Sequence, residues 1–128
     1  MSLRILHESI SGELQKPVER LSGSKLADMD LLLAVENSTD HECVLVTRDV
    51  NVHATKKNGQ LLFVENASGG DEITIRPRTK KALKLTFRIS EQAYNQISEV
   101  FEFTLDIGTD SITTNRGRLL LEYSGKGI

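Results

Sequence analysis

Residues 27–37 read ADMDLLLAVEN, and every odd position from Met29 to Val35 carries a hydrophobic side chain. The even positions include charged residues, namely Asp28, Asp30 and Glu36. Successive side chains of a β-strand point to opposite faces, so strict alternation is typical of a strand with one dry face and one wet face. The segment therefore predicts a half-buried antiparallel strand.

The same alternation recurs in two later segments. In residues 82–89 the hydrophobic odd positions are Leu83, Leu85, Phe87 and Ile89. In residues 101–107 they are Phe101, Phe103, Leu105 and Ile107, and these predict a common core face. Each segment has polar residues at most of its even positions, which predicts two more strands of the same kind.

Shorter patterns predict the remaining strands, in residues 3–10, 44–52, 61–64, 73–75 and 119–123. In the second of these, four valines are predicted to share a face: Val44, Val46, Val50 and Val52. Arg48 interrupts that face, which indicates a bulge or an outward-leaning side chain. The Asn58-Gly59 pair favours a hairpin turn before the strand predicted over residues 61–64.

Residues 90–99 predict a helix of two or three turns. Ser90 is a suitable N-cap, and apolar residues then recur at three- or four-residue spacing. Residues 11–24 are ambiguous, because Leu14, Val18 and Leu21 have helical spacing while Pro17 lies among them. We expect a loop there, with room for a single turn.

Seven or eight short strands and one short helix predict an all-β fold, an antiparallel β-sandwich. A parallel sheet would need repeated crossover helices, and the sequence offers only one short helical candidate. We expect one domain over residues 1–128, in which residues 1–24 contribute a strand and a loop. With 128 residues the chain can bury a core without disulfides or metal.

Composition excludes several classes of protein. The chain has 16 basic and 18 acidic residues with 38% hydrophobic residues, which argues against a disordered chain and against a nucleic-acid binder. The longest apolar run, residues 31–35, is far shorter than the roughly 18 residues of a membrane span. Cys43 is the single cysteine, and the N-terminal residues lack the apolar core of a signal peptide, so we expect a cytoplasmic protein.

One pair of neighbouring residues, His41 and Cys43, has side chains of the types that serve in catalysis and metal binding. A dyad of this kind would need the base aimed at the thiol, and a metal would need further ligands beyond His41, Glu42 and Cys43. His7 and His53 are isolated in sequence, and the paired acids Asp28/Asp30 and Glu102/Asp106 are expected to be solvated. We therefore expect no enzyme activity, no cofactor and no metal, with a metal-dependent enzyme that uses His41 and Cys43 as the alternative.

Basic residues form a clearer cluster in the sequence than residues of catalytic types do. Four basic residues surround Pro77, and these are the predicted binding residues: Arg76, Arg78, Lys80 and Lys81. Lys84 and Arg88 continue on the same outward strand face. Such a ridge can bind an acidic protein partner or an anionic surface. In the alternative interpretation, Lys84 and Arg88 balance Glu102 and Asp106 across a sheet.

The order of these elements resembles a known family. A strand ending in Val35-Glu36-Asn37, a second strand over residues 43–54, the Asn58-Gly59 turn and the segment ITIRP at residues 73–77 precede a strand–helix–strand unit over residues 83–107. This order is similar to the group 2 late embryogenesis abundant proteins, the WHy (water stress and hypersensitive response) domain, over about residues 25–110. In that family the strand-terminal Asn is followed by Pro, whereas Ser38 follows Asn37 here. We interpret Asn37 as a structural residue.

The resemblance implies an immunoglobulin-like or fibronectin-III-like sandwich with a non-catalytic role in stress protection or at membrane surfaces. We accordingly expect a binding or stress-protection module that acts through its surface. Open edge strands of a sandwich can also accept another strand, which predicts a possible route to homo-oligomers. The remaining alternative is a structural subunit of a viral, appendage or coat-like assembly.

Overall fold

The computed structural model describes residues 3–115, and they are mostly β-strand. The strands are β1 (Leu3–Ile5), β2 (Ser11–Leu14), β3 (Val18–Glu19), β4 (Lys25–Asn37), β5 (Cys43–Val46), β6 (Asn51–Lys56), β7 (Leu61–Leu62), β8 (Glu65–Asn66), β9 (Glu72–Ile75), β10 (Lys80–Ser90), β11 (Val100–Asp106) and β12 (Ser111–Asn115). Every pairing between them is antiparallel. The all-β prediction is confirmed, and the described strands exceed seven or eight because several are only two or three residues long.

Strands β4 and β10 form the centre of the largest sheet. They pair without interruption from Lys80 opposite Glu36 to Ser90 opposite Leu26. In both strands the odd positions are buried from Ala27 to Asn37 and from Leu83 to Ile89, as the alternation predicts. A one-residue slip would expose every one of these side chains, so the hydrophobic pattern specifies the register.

The N-terminal segment runs along the other side of β4. β1 pairs with the end of β4, β2 with its middle and β3 with its start. The predicted loop over residues 11–24 is therefore wrong, since this segment contains two strands. The 13-residue β4 is long enough to pair with three short strands that follow one another along its length, and Pro17 lies between two of them. The strand expected over residues 3–10 likewise ends at Ile5, before a 3-10 turn at His7–Ser9.

A second sheet has the order β12-β11-β6-β7. The pairing of β11 with β6 shifts between Val100 and Glu102, which marks a bulge at Phe101. Val100 is buried and Phe101 is 44% exposed. The prediction that Phe101 shares the core face of Phe103 is wrong, because the extra residue at the bulge changes the alternation at the start of the strand.

The third sheet consists of β5 and β9. Leu45 is the buried residue of β5, whereas Val44 is exposed and Val46 half-buried. A 3-10 turn at Thr47–Asp49 separates β5 from β6, where Val52 is buried. Val44 and Val46 therefore do not share the face of Val50 and Val52, because the turn reorients the chain. Arg48 lies in this turn and is exposed.

The predicted helix is shorter than expected. The Ser90 hydroxyl accepts a hydrogen bond from the Ala93 N–H at 3.0 Å, which confirms the N-cap. The helix α1 spans Glu91–Tyr94, and a separate 3-10 turn at Ile97–Glu99 leads into β11. Lys56 joins this turn to β6, since its ammonium lies 3.2 Å from a Glu99 carboxylate oxygen and donates to Gln96.

One hydrophobic core collects side chains from all three sheets. Its largest fully buried members are Phe87, Phe103, Met29, Leu31, Ile75, Leu85 and Leu105. A polar residue, Asn37, lies among them with 0% exposure. The strand predicted over residues 119–123 lies outside the described residues.

Asn37 ties the end of β4 to the third sheet. Its Nδ2 donates to the carbonyls of His41 (2.7 Å) and Ile75 (2.9 Å). Its Oδ1 accepts from the N–H and the hydroxyl of Thr39. Buried polar groups are stable when paired in this way, so the structural interpretation of Asn37 agrees with its contacts.

Candidate binding site at the open side of β10

One side of β10 is covered only near its C-terminal end. β8 pairs with Phe87 and Arg88, and Ala67 and Ser68 bind the backbone of Thr86. The chain then turns away through Gly69 and Gly70, where the Thr47 hydroxyl donates to the Gly69 carbonyl. It continues into β9, which pairs with β5 and not with β10. Within residues 3–115, no strand pairs with this side of β10 from Lys80 to Leu85.

The hydrogen bonds of Thr86 identify which backbone groups face this open side. Its N–H donates to the Ser68 hydroxyl (3.0 Å), and its carbonyl accepts from the Ala67 N–H (2.9 Å). In an antiparallel pair, the residues that face away from the partner strand alternate. Because the register with β4 is unbroken, Lys80, Ala82 and Lys84 present their N–H and carbonyl groups to the same open side as Thr86.

The basic side chains predicted from the sequence lie in the turn before β10 and on its first residues. We define the basic edge as Arg76, Arg78, Lys80, Lys81 and Lys84, all of which are exposed. The first two belong to the turn after β9, and the lysines follow on β10. Lys80 and Lys84 project from one face of the strand and Lys81 from the other, since successive side chains alternate. The four predicted residues thus lie within one turn and the start of β10, and Lys84 extends the set.

Arg78 has an unusual backbone conformation. Its φ of 61° lies in the left-handed region, where glycine is unstrained and an arginine costs roughly 1–2 kcal/mol. Pro77 precedes it, and this order is typical of a type II turn. The Arg78 guanidinium binds one Asp40 oxygen through Nη2 (2.8 Å) and Nε (3.1 Å). This exposed ion pair offsets part of the positive charge of the turn.

Glu36 lies opposite Lys80 across the sheet. Glu36 accepts a 2.6 Å hydrogen bond from Arg4, and this bond is the main cause that lowers the pKa of Glu36 below its ordinary value. The same bond raises the pKa of Arg4. Glu36 is thus already paired, and Arg76, Lys80, Lys81 and Lys84 take part in none of the ion pairs found among the described residues.

Arg88 shares the outward face of Lys84 but has a different environment. It is half-buried, and its Nε donates to Asp28 at 2.9 Å, while Arg20 donates to the same carboxylate oxygen. The predicted balance of Lys84 and Arg88 with Glu102 and Asp106 is wrong, because β10 and β11 belong to different sheets. Asp28 is also half-buried and not a solvated acid, and Asp30 accepts from Thr86.

The candidate catalytic and metal residues lie beside the turn that carries Arg76 and Arg78, since Cys43 pairs with Ile75 and Arg78 binds Asp40. His41 is exposed, and its backbone carbonyl accepts from Asn37, while Cys43 is half-buried at the start of β5. Among residues 3–115 no three His, Cys, Asp or Glu side chains lie close enough together to hold a metal ion. His7 and His53 are exposed on other elements.

A second surface feature was not predicted from the sequence. Leu61 and Phe63 are exposed and, with Gln92 and Gln96 of the α1 region, line a shallow groove. The apolar run over residues 61–64 predicts a longer strand than the two residues of β7 and does not indicate that Phe63 is exposed. Across the described part of the chain, no helix has the length and apolar character needed to cross a membrane.

Comparisons with known proteins do not identify a family for this chain. No family model and no curated protein matches the chain. A crystal structure of a protein from Archaeoglobus fulgidus is similar, with a TM-score of 0.39 and 16% identity, over 83% of this chain and 87% of that one. A TM-score of this size does not establish a shared fold. The resemblance to the WHy domain stays a prediction.

Proposed function

We propose that the protein is a non-catalytic binding module of immunoglobulin-like β-sandwich architecture, and that it binds an acidic partner protein at the basic edge. The observation that carries this proposal is that, within residues 3–115, the open side of β10 adjoins basic side chains that take part in no ion pair found there, namely Arg76, Lys80, Lys81 and Lys84. Opposite charge at an interface speeds association and selects partners. A role in stress protection is compatible with such a module, as the sequence resemblance suggests.

Charge reversal at the basic edge tests this proposal. Lys81 and Lys84 suit the purpose because they lie opposite Val35 and Leu32, so a new carboxylate there meets no acid directly across the sheet. We expect Lys81→Glu together with Lys84→Glu to weaken binding of a fluorescein-labelled eight-residue peptide, in which glutamate alternates with threonine, by at least about tenfold. Fluorescence anisotropy at low and physiological salt measures this, and the wild-type affinity is expected to fall as salt screens the charges.

The matched control carries the same charge change elsewhere. Lys16 and Lys57 are exposed, and neither takes part in an ion pair within the described residues. Lys16→Glu together with Lys57→Glu is expected to leave the affinity within about twofold. Equal losses in both double variants would show that only net charge matters and would contradict a defined site. Binding to phosphatidylserine vesicles in place of the peptide would assign the basic edge to a membrane surface.

A further inference from the structure

We infer that the partner is held as an added β-strand, an extended acidic segment that pairs antiparallel with the open side of β10. This inference rests on the proposed function and specifies its geometry. The open side spans Lys80 to Leu85, long enough for the pairing of five or six residues. Strand addition of this kind supplies affinity through main-chain hydrogen bonds and specificity through alternate side chains.

The backbone of β10 has the hydrogen-bond donors and acceptors that this pairing needs. Lys80, Ala82 and Lys84 each present one N–H and one carbonyl to the open side, and within residues 3–115 these groups have no hydrogen-bond partner. An added strand would satisfy all three residues in the pattern by which Thr86 is already satisfied by Ala67 and Ser68. The added strand would continue, towards the start of β10, the short pairing that β8 makes with Phe87 and Arg88.

The side chains at this edge specify an acidic segment. On the exposed face the order is Lys80, Ala82, Lys84, with Ala34 opposite Ala82 on β4. Directly opposite side chains of paired strands lie about 4.5–5.5 Å apart, close enough for ion pairs. An added strand with acidic residues opposite both lysines therefore has complementary charge, and the small exposed side chain of Ala82 leaves room for the residue opposite it. Lys81, on the other face, adds attraction at the start of the strand.

The same geometry disfavours a second copy of this chain as the occupant. Antiparallel pairing of two β10 strands about Ala82 would place Lys80 of one copy opposite Lys84 of the other, twice. Like charges directly opposite each other destabilise a sheet. Lysine on an edge strand is a common protection against self-association. The lysines thus favour pairing of β10 with an acidic strand and disfavour pairing with β10 of a second copy.

Backbone methylation of the alternating peptide tests strand addition without altering the protein. In antiparallel pairing, the peptide residues opposite Lys80, Ala82 and Lys84 are the glutamates, and their N–H groups point towards β10. We expect N-methylation of the glutamates to weaken binding at least tenfold, and N-methylation of the threonines to change it no more than about twofold. If both methylated peptides bind equally well or equally poorly while charge reversal still abolishes binding, strand addition is wrong and the proposed function stands. If the unmodified peptide does not bind, the proposed function itself fails.

A substitution on the protein side provides an independent check. Ala82→Pro removes an N–H that faces the open side and leaves the bonds to β4 intact, which is the position where edge strands accept proline. Its matched control, Ala82→Val, keeps the N–H. With folding verified by circular dichroism, we expect at least tenfold weaker peptide binding for Ala82→Pro and at most a threefold change for Ala82→Val. Concentration-dependent dimers that disappear in Ala82→Pro, without peptide binding by the wild type, would assign the open side to a second copy and overturn the acidic partner.

Discussion

Asn37→Asp is expected to destabilise the protein by about 3–5 kcal/mol at pH 7, because it places a carboxylate without a cationic partner in the core and replaces two donated hydrogen bonds by repulsion. The Asn37 side chain is 0% exposed, and its Nδ2 donates to two carbonyl oxygens, those of His41 and Ile75. An ionised aspartate cannot donate to either carbonyl and would repel both. Total stabilities of domains are about 5–15 kcal/mol, so this variant approaches the limit of folding.

The loss should depend on pH in a defined direction. Burial against carbonyl oxygens favours the protonated acid, so we expect the pKa of the new carboxyl to be higher in the folded chain than in the unfolded one. The folded state then binds more protons, and stability falls as pH rises above the unfolded value of about 3.9 until the folded pKa is passed. Below that window the neutral acid can donate one hydrogen bond, and the deficit is expected to be smallest.

Two controls separate the charge from the loss of hydrogen bonds. Asn37→Ala leaves the carbonyls of His41 and Ile75 without their donor, at about 1–3 kcal/mol per unpaired group, with no pH dependence relative to the wild type. Asn58→Asp makes the same chemical change in an exposed turn, where Asp-Gly is as suitable as Asn-Gly, and should be nearly neutral. Urea unfolding followed by circular dichroism from pH 4 to 8 measures all three. A flat pH profile for Asn37→Asp would contradict the buried double-donor arrangement.

Phe87→Ala is expected to cost about 3–5 kcal/mol, the usual range for removing a fully buried aromatic ring. Phe87 is 0% exposed at the centre of β10 and packs in the core that all three sheets share. The substitution removes the transfer free energy of the ring and leaves a cavity that the surrounding strands cannot close completely. The chain has no tryptophan, so circular dichroism is again the appropriate probe.

Phe101→Ala is the matched comparison for Phe87→Ala. Because the bulge turns Phe101 outwards to 44% exposure, we expect its truncation to cost roughly 1 kcal/mol or less. An unbroken strand over residues 101–107 would instead bury Phe101 beside Phe103, and both truncations would then cost about the same. Similar losses in the two variants would therefore contradict the register of β11.

Much of the fold can be predicted from the sequence where polarity alternates sharply. In residues 27–37 and 82–89 a slip of one residue would exchange the dry and wet faces, so one register is far more stable. Residues 11–14 read SGEL and have no comparable alternation. They form β2 because the exposed edge of β4 offers backbone partners, and this is a tertiary cause that no local pattern reports. The bulge at Phe101 is hidden for a related reason, since residues 101–107 also fit an unbroken strand.

The candidate site, like the fold, can be predicted from the sequence only in part. The cluster from Arg76 to Lys81 is visible in the sequence because charge needs no fold to be recognised. The open side of β10 cannot be recognised in the same way. It arises because the chain leaves β10 after Ser68 and its next strand, β9, pairs with β5. The partner of Arg88 likewise could not be predicted, because Asp28 is 60 residues away and becomes its neighbour only through the β4–β10 register.

The position of β4 in the chain also bears on synthesis at the ribosome. Its N-terminal neighbours precede it directly, but β10 begins only at Lys80, after Asn37 has already emerged. At roughly 5–20 residues per second, translation of the intervening stretch takes several seconds. During that delay the nascent β4 carries a row of leucines while β8 and β10 of its sheet are still untranslated, so we expect chaperones to matter most in this interval.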